Sequence, residues 1–155
     1  MTDTQTKTNG EKIELVSFWV GGQEFGVDIM FVREIRGWTR ETELPHAPDY
    51  VRGVINLRGV VLPIVNLAGR LGLEPTEPNS RHVIVVVQLA DQAVGLLVDA
   101  VSNIFEVAKD DIQPTPAVDS GNISKFVRGL LAIEDRMISL IEIDDVLPIT
   151  QKVAA

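Results

Sequence analysis

VRGVINLRGVVLPIVNLAGRLG, residues 51–72, reads as β-branched and leucine-rich strand interrupted at Arg58–Gly59. An arginine is almost never fully buried without a partner, so its place inside an apolar run needs a cause. A second copy supplies the frame. YVRGVINLRGVVLPIVNLAGRL (50–71) aligns without a gap to FVRGLLAIEDRMISLIEIDDVL (126–147) at a spacing of 76 residues. Tyr50 meets Phe126, Arg52 and Gly53 meet Arg128 and Gly129, Ile64 and Val65 meet Leu140 and Ile141, and Arg58 meets Glu134. A looser match joins GGQEFGVDIMFVREI (21–35) to ADQAVGLLVDAVSNI (90–104) at a spacing of 69, setting Gly26 against Gly95 and Val32 against Val101. The matched pieces run in the same order in both halves, so the chain is a duplicated unit of about 70 residues.

Each unit reads the same way. Residues 15–20 and 83–89 are rich in β-branched and apolar residues and are followed by short polar turns, GGQ and ADQ. Residues 25–29 and 94–98 supply the returning strand, and 32–37 and 101–107 continue around a bend. Prolines at 45, 48, 114 and 116 mark the connecting loops. A last hairpin turns at Arg58–Gly59 in one unit and at Glu134–Asp135 in the other, and only 67–71 and 144–147 suit short helical turns. Five short strands per unit predict an all-β chain of two small five-stranded barrels packed together. The expected divisions are a disordered tail 1–12, a first lobe 13–82, a second lobe 83–150 and a tail 151–155, with strand exchange between the lobes left open.

The 155 residues carry no cysteine, which excludes disulfides, thiolate metal sites and cysteine nucleophiles and fits a reducing cytoplasm. A net charge of −8 disfavours a nucleic-acid binder and attraction to anionic lipid. No apolar run reaches a membrane span, and MTDTQTKTNGEK has no signal-peptide core. A cytoplasmic protein whose partners are other proteins is expected.

EFGVDIMFVREIRG, LPHAPDYVRGVINLRGVVLPIVNL, VGLLVDAVSNIFEV and GLLAIEDRMISLIEIDDVL together resemble the CheW-type chemotaxis coupling proteins, from about residue 15 to 147. No kinase or receiver segment is attached, so the resemblance is to the stand-alone adaptor. It implies tandem SH3-like barrels and a non-enzymatic scaffold, without a cofactor. That scaffold would join chemoreceptor cytoplasmic tips to the regulatory domain of the histidine kinase CheA, recruited to membrane-associated arrays. A same-fold module of another kinase-coupled sensory pathway is the rival.

The resemblance also places candidate sites. Receptor contact would involve Val32, Glu34, Gly53, Arg58, Val98, Val101 and Ile104. Kinase contact would involve Leu44, Arg58 and Val61, with a weaker second contact through residues 113–118, Gln113 and Val118 included. Some relatives carry an aromatic residue near Val118, a departure that bears on the strength of the second contact. Glu34 is the implied partner of Arg58, with structural and interface roles weighted equally. From the residues alone Val32, Val98, Val101 and Ile104 are most simply barrel core, and pattern alone does not separate core from groove. Gly26, Gly95, Gly53 and Gly129 recur at repeat positions, which points to shared backbone needs.

Asp119–Ser120–Gly121 matches the D-[ST]-G signature of aspartyl hydrolases. Such enzymes need two carboxylates at one site, and the repeat partner of Asp119 is Glu43 in ELP, without a glycine turn. A polar surface loop is the better reading. His46 and His82 have no ligand-like spacing, and no metal site is expected.

Overall fold

A computed structural model describes residues 11–74, 77–114 and 125–147. The first half folds as β1 (Lys12–Val20), β2 (Gln23–Asp28), a 3-10 turn (Ile29–Phe31), β3 (Val32–Gly37), β4 (Val51–Leu57), β5 (Val60–Asn66) and the helical turn α1 (Leu67–Arg70). The second half repeats the order with β6 (Val83–Leu89), β7 (Gln92–Val98), β8 (Ala100–Ala108), a 3-10 turn (Lys109–Asp111), β9 (Val127–Ile133), β10 (Arg136–Ile141) and α2 (Ile143–Val146). β1 begins at Lys12, so that residue belongs to the body and not to the expected tail. The C-terminal tail 151–155 lies outside the described residues.

The strands form two five-stranded sheets, ordered β9-β10-β2-β1-β8 (barrel I) and β3-β6-β7-β5-β4 (barrel II). The sheets do not divide at residue 82. Barrel I takes hairpin β1–β2 from the first half and three strands from the second, and barrel II takes hairpin β6–β7 from the second and three from the first. The two sheets are therefore interleaved along the chain. The reason is local: the 3-10 turn after β2 separates β3 from the hairpin, and β3 pairs with β6 instead. Most pairs are antiparallel, while β10–β2 and β5–β7, which join strands of different halves, are parallel.

Each sheet is closed by one isolated pair. Thr42, beyond β3, exchanges two 2.8 Å backbone hydrogen bonds with Val54 of β4, and Gln113, beyond β8, does the same with Leu130 of β9. At both closures the strand opposite carries a repeat glycine. A β-carbon on Gly53, whose φ is +151°, would stand 2.2 Å from the Thr42 carbonyl oxygen. One on Gly129 would stand 2.9 Å from that of Gln113. Gly95 and Gly26 answer a need for space, since a β-carbon would meet Ile64 and Ile84 at 2.7 Å in one and Ile138 at 3.2 Å in the other.

Alternation along the strands builds three cores. Ile84 and Val86 of β6 fill barrel II with Ile55, Leu62, Ile64 and Leu97. Leu15 fills barrel I with Leu131, Ile138 and Leu140. The intervening residues, Val85 and Val87 with Val16 and Phe18, join Phe25, Val51, Val65, Val98, Phe126 and both helical turns in a third core between the barrels. Burying a side chain of this size contributes roughly 1.5–3 kcal/mol, so this shared core, drawn from both halves, holds the barrels together.

Candidate functional site: the open mouth of barrel II

The hairpin turn between β4 and β5 forms the rim of the site. Arg58 and Gly59 both have left-handed backbone, φ +53° and +85°, the combination a tight two-residue hairpin requires. Asn56 stabilises it, its Oδ1 accepting the Gly59 N–H at 2.8 Å. Glycine or asparagine normally occupies the first position at least strain. Arg58 therefore lies in the turn, not on a strand face, and its side chain projects into solvent.

From there it reaches β3. Arg58 Nη2 donates to Glu34 Oε1, while Arg36 Nη1 approaches Glu34 Oε2 at 3.6 Å. The hydrogen bond from Arg58 holds the Glu34 carboxyl below its ordinary range; partial burial opposes this, and the charges of Arg58, Arg36 and Arg33 add to the lowering. Glu34 thus pins the hairpin tip of β4–β5 to β3, with Arg36 as a second partner should Arg58 be lost. Beneath lies a depression of about 240 Å³ lined by Leu57, Leu62, Val86 and Ala93 and rimmed by Arg33, Glu34, Arg58 and Val60. Val60, part of that rim, is 58% exposed, and Val61, the next residue of β5 and outside the lining, is 69% exposed.

The repeat positions that line this depression carry different residues in barrel I. Glu24 stands at the position of Ala93 and Arg136 at that of Val60. Arg136 Nη2 donates to the buried Glu24 at 3.2 Å, and its guanidinium lies 5.0 Å from the Phe105 ring centroid. Ser17, at the position of Val86, exchanges hydrogen bonds with Asn103. An internal ion pair thus stands in barrel I where small apolar residues line the depression of barrel II, and a polar depression of about 410 Å³ lies against that pair, lined also by Trp19, Gln23 and Met137. Glu134, the repeat counterpart of Arg58, keeps the left-handed backbone (φ +55°) without the bond to β3.

The remaining expected residues fall into three groups. Leu44 is exposed, as a contact role requires. Val32 and Val101, repeat counterparts on β3 and β8, are half-buried against the core between the barrels, and Ile35 and Ile104, the next matched pair, are 42% and 57% exposed. Ile35 is an exposed apolar residue that sequence reasoning passed over although the repeat pairs it with Ile104. Val98 is fully buried in that core and has no surface to offer a partner, a correction to its expected contact role. Gly53 acts through barrel closure, and Gln113 through its backbone pair with Leu130 while its side chain stays exposed. Val118 and the Asp119 motif lie outside the described residues. Among those described, no three acidic or histidine side chains gather as a metal site, and no helix is long and apolar enough to cross a membrane.

Two fused barrels with exposed apolar side chains and a charge-rimmed apolar depression define a protein-binding scaffold. The comparisons with known proteins give the family. The model described as CheW-like domain matches residues 14–151. The chain is 59% identical over 148 residues to the chemotaxis protein CheW of Rhizobium meliloti (strain 1021), covering 96% of this chain and 95% of that one. It is 33% identical to the chemotaxis protein CheW of Klebsiella aerogenes, covering 93% and 88%. The crystal structure of the scaffolding protein TtCheW from Thermoanaerobacter tengcongensis superposes with a TM-score of 0.78 at 30% identity, covering 85% of this chain and 90% of that one. The chain belongs to the CheW family of chemotaxis scaffold proteins.

Proposed function

We propose that this chain is a non-catalytic adaptor that holds the regulatory domain of the histidine kinase CheA against the cytoplasmic tip of a chemoreceptor. The observation that carries this reading is the difference between the two barrel mouths: the repeat positions held by the Glu24–Arg136 ion pair in barrel I are small and apolar in barrel II, where they line a depression rimmed by Arg58 and Glu34. Glu24 and Arg136 are already partnered by each other, whereas an apolar depression flanked by exposed valines invites a protein surface. The kinase domain docks there, on Val60, Val61 and Leu44, with Arg58 and Glu34 fixing register at the rim. Bidentate and charge-assisted bonds suit that role better than bulk affinity. The receptor tip lies along the apolar face of Val32, Ile35, Val101 and Ile104, next to Glu34, so that the Arg58–Glu34 pair stands between the two contacts. Each contact is modest, and an array multiplies them. Recruitment to membrane-associated receptors follows from the partners.

The reading is tested by capture of a receptor cytoplasmic fragment and of the kinase regulatory domain on the immobilised chain. Both are expected to bind singly and together. Binding of neither at tens of micromolar would remove the coupling role.

A further inference from the structure

The reciprocal exchange of hairpins leaves each half-chain with sheet edges that the other half closes. In the first half, β3 pairs with β6, β5 pairs with β7, and the hairpin β1–β2 pairs with β8 and β10, all of them strands of the second half. Among the described residues of the first half, the strand pairings are those of the two hairpins and the short pair at Thr42 and Val54. The halves are equivalent about an approximate two-fold relation. The Asn66 N–H donates to the Tyr50 carbonyl and the Glu142 N–H to that of Phe126, each at 2.7 Å and each at matched repeat positions.

The equivalence breaks where the halves meet. Position 70 carries arginine and its counterpart, 146, carries valine. The Arg70 guanidinium lies 4.4 Å from the Tyr50 ring centroid and 4.7 Å from that of Phe126, held between two aromatic residues that are themselves repeat counterparts. Its Nε donates to the carbonyl of Val146 and its Nη2 to that of Asp145, each at 3.1 Å, so it binds the backbone of its own counterpart. One cation therefore occupies a place that two symmetric arginines would contest.

We infer that the two half-chains are each other's specific partners and that the single cation at Arg70 selects the pairing of unlike halves. Two first halves would force two guanidiniums into one partly enclosed site, a like-charge contact of the kind that excludes wrong partners. Two second halves would supply none, leaving aromatic faces and the carbonyls at the end of α2 without their donor.

The test uses the full chain with a protease recognition sequence inserted after Glu74, cut after folding and followed by native mass spectrometry. The cut halves are expected to stay together one to one and, after unfolding and refolding, to return only as unlike pairs. Separation on cutting, or refolding into like and unlike pairs in statistical proportion, would overturn the inference. Uncut variants then address the cation. Arg70→Val is expected to lower the melting temperature by about 4–8 °C, and Val146→Arg, which adds a second cation, by about 10 °C or more. The double variant R70V/V146R moves the cation to the other half, within reach of the same two rings, and is expected to regain at least half of the loss seen in V146R. Should V146R fail to fold, a double variant that folds supports the inference equally. A double variant no more stable than V146R would show that the site does not hold one interchangeable cation.

Discussion

The carbonyl oxygen of Thr42 lies 2.2 Å from the point where a β-carbon on Gly53 would stand. Thr42 belongs to the closing pair of barrel II, where Val54, next to Gly53, is hydrogen-bonded to it in both directions. A side chain at 53 must therefore break the closure or distort it, at a backbone angle that side chains rarely adopt. Gly53→Ala is expected to cost about 2–4 kcal/mol in urea unfolding. Gly129→Ala should cost less, because a β-carbon there would stand 2.9 Å from the Gln113 carbonyl and 2.5 Å from the tip of Ile112, which can turn aside. Loss of partner binding in Gly53 variants would then follow from a disturbed barrel rather than from a lost contact.

The ion pair at the rim makes a prediction about pH. Because Arg58 lowers the Glu34 carboxyl, the favourable pairing is fully present above the ordinary value of 4.5 and is lost as pH falls through the lowered folded value. A carbon-detected NMR titration should show Glu34 ionising below 4.5 in the native chain and moving upward in Arg58→Ala. The shift is expected to be incomplete, since Arg36 remains 3.6 Å away. An unchanged titration in the variant would mean that the pair does not persist in solution.

Burial separates residues that act by contact from those that act by packing. Val98→Ala removes atoms from the core between the barrels and is expected to cost about 2 kcal/mol of stability. Val61→Asp, at a site 69% exposed, should leave the denaturation midpoint within error and weaken kinase-domain binding roughly tenfold or more. Calorimetric titration and urea unfolding of the same two variants distinguish the cases.

Ile35 and Ile104 predict a paired effect. Ile35→Ser and Ile104→Ser each leave a folded chain, because both side chains are already exposed. Each should weaken receptor-fragment binding by about three- to tenfold while sparing the kinase domain. Equal losses for both partners would place the two contacts on one surface.

Most of the barrel architecture was legible because the apolar runs repeat at two spacings and turn signals bound each run. Lys12 escaped because a charged strand end has no apolar signature. Hairpin exchange stayed open for a different reason: either hairpin has the same alternating faces, and only tertiary pairing decides which barrel receives it. Arg58 stood out from the sequence because its counterpart is Glu134, and the structure gives that asymmetry a cause in the bond to β3. Val98 was misplaced because a valine buried between two barrels and a valine lining their groove share one pattern. The ion pair of barrel I was within reach, since Glu24 and Arg136 replace Ala93 and Val60 at matched positions, but a repeat comparison restricted to similar residues passes over such differences.

Whether the open mouth of barrel II receives the kinase is decided by titrating the CheA regulatory domain onto three chains. These are the native chain, Val61→Asp, and Met137→Asp, the matched exposed position beside the Glu24–Arg136 pair of barrel I. Binding to the native chain, a loss of roughly tenfold or more in the Val61 variant, and no change in the Met137 variant are expected. Equal affinity of all three, or a loss confined to the Met137 variant, would place the kinase contact elsewhere and contradict the proposed role of the open mouth.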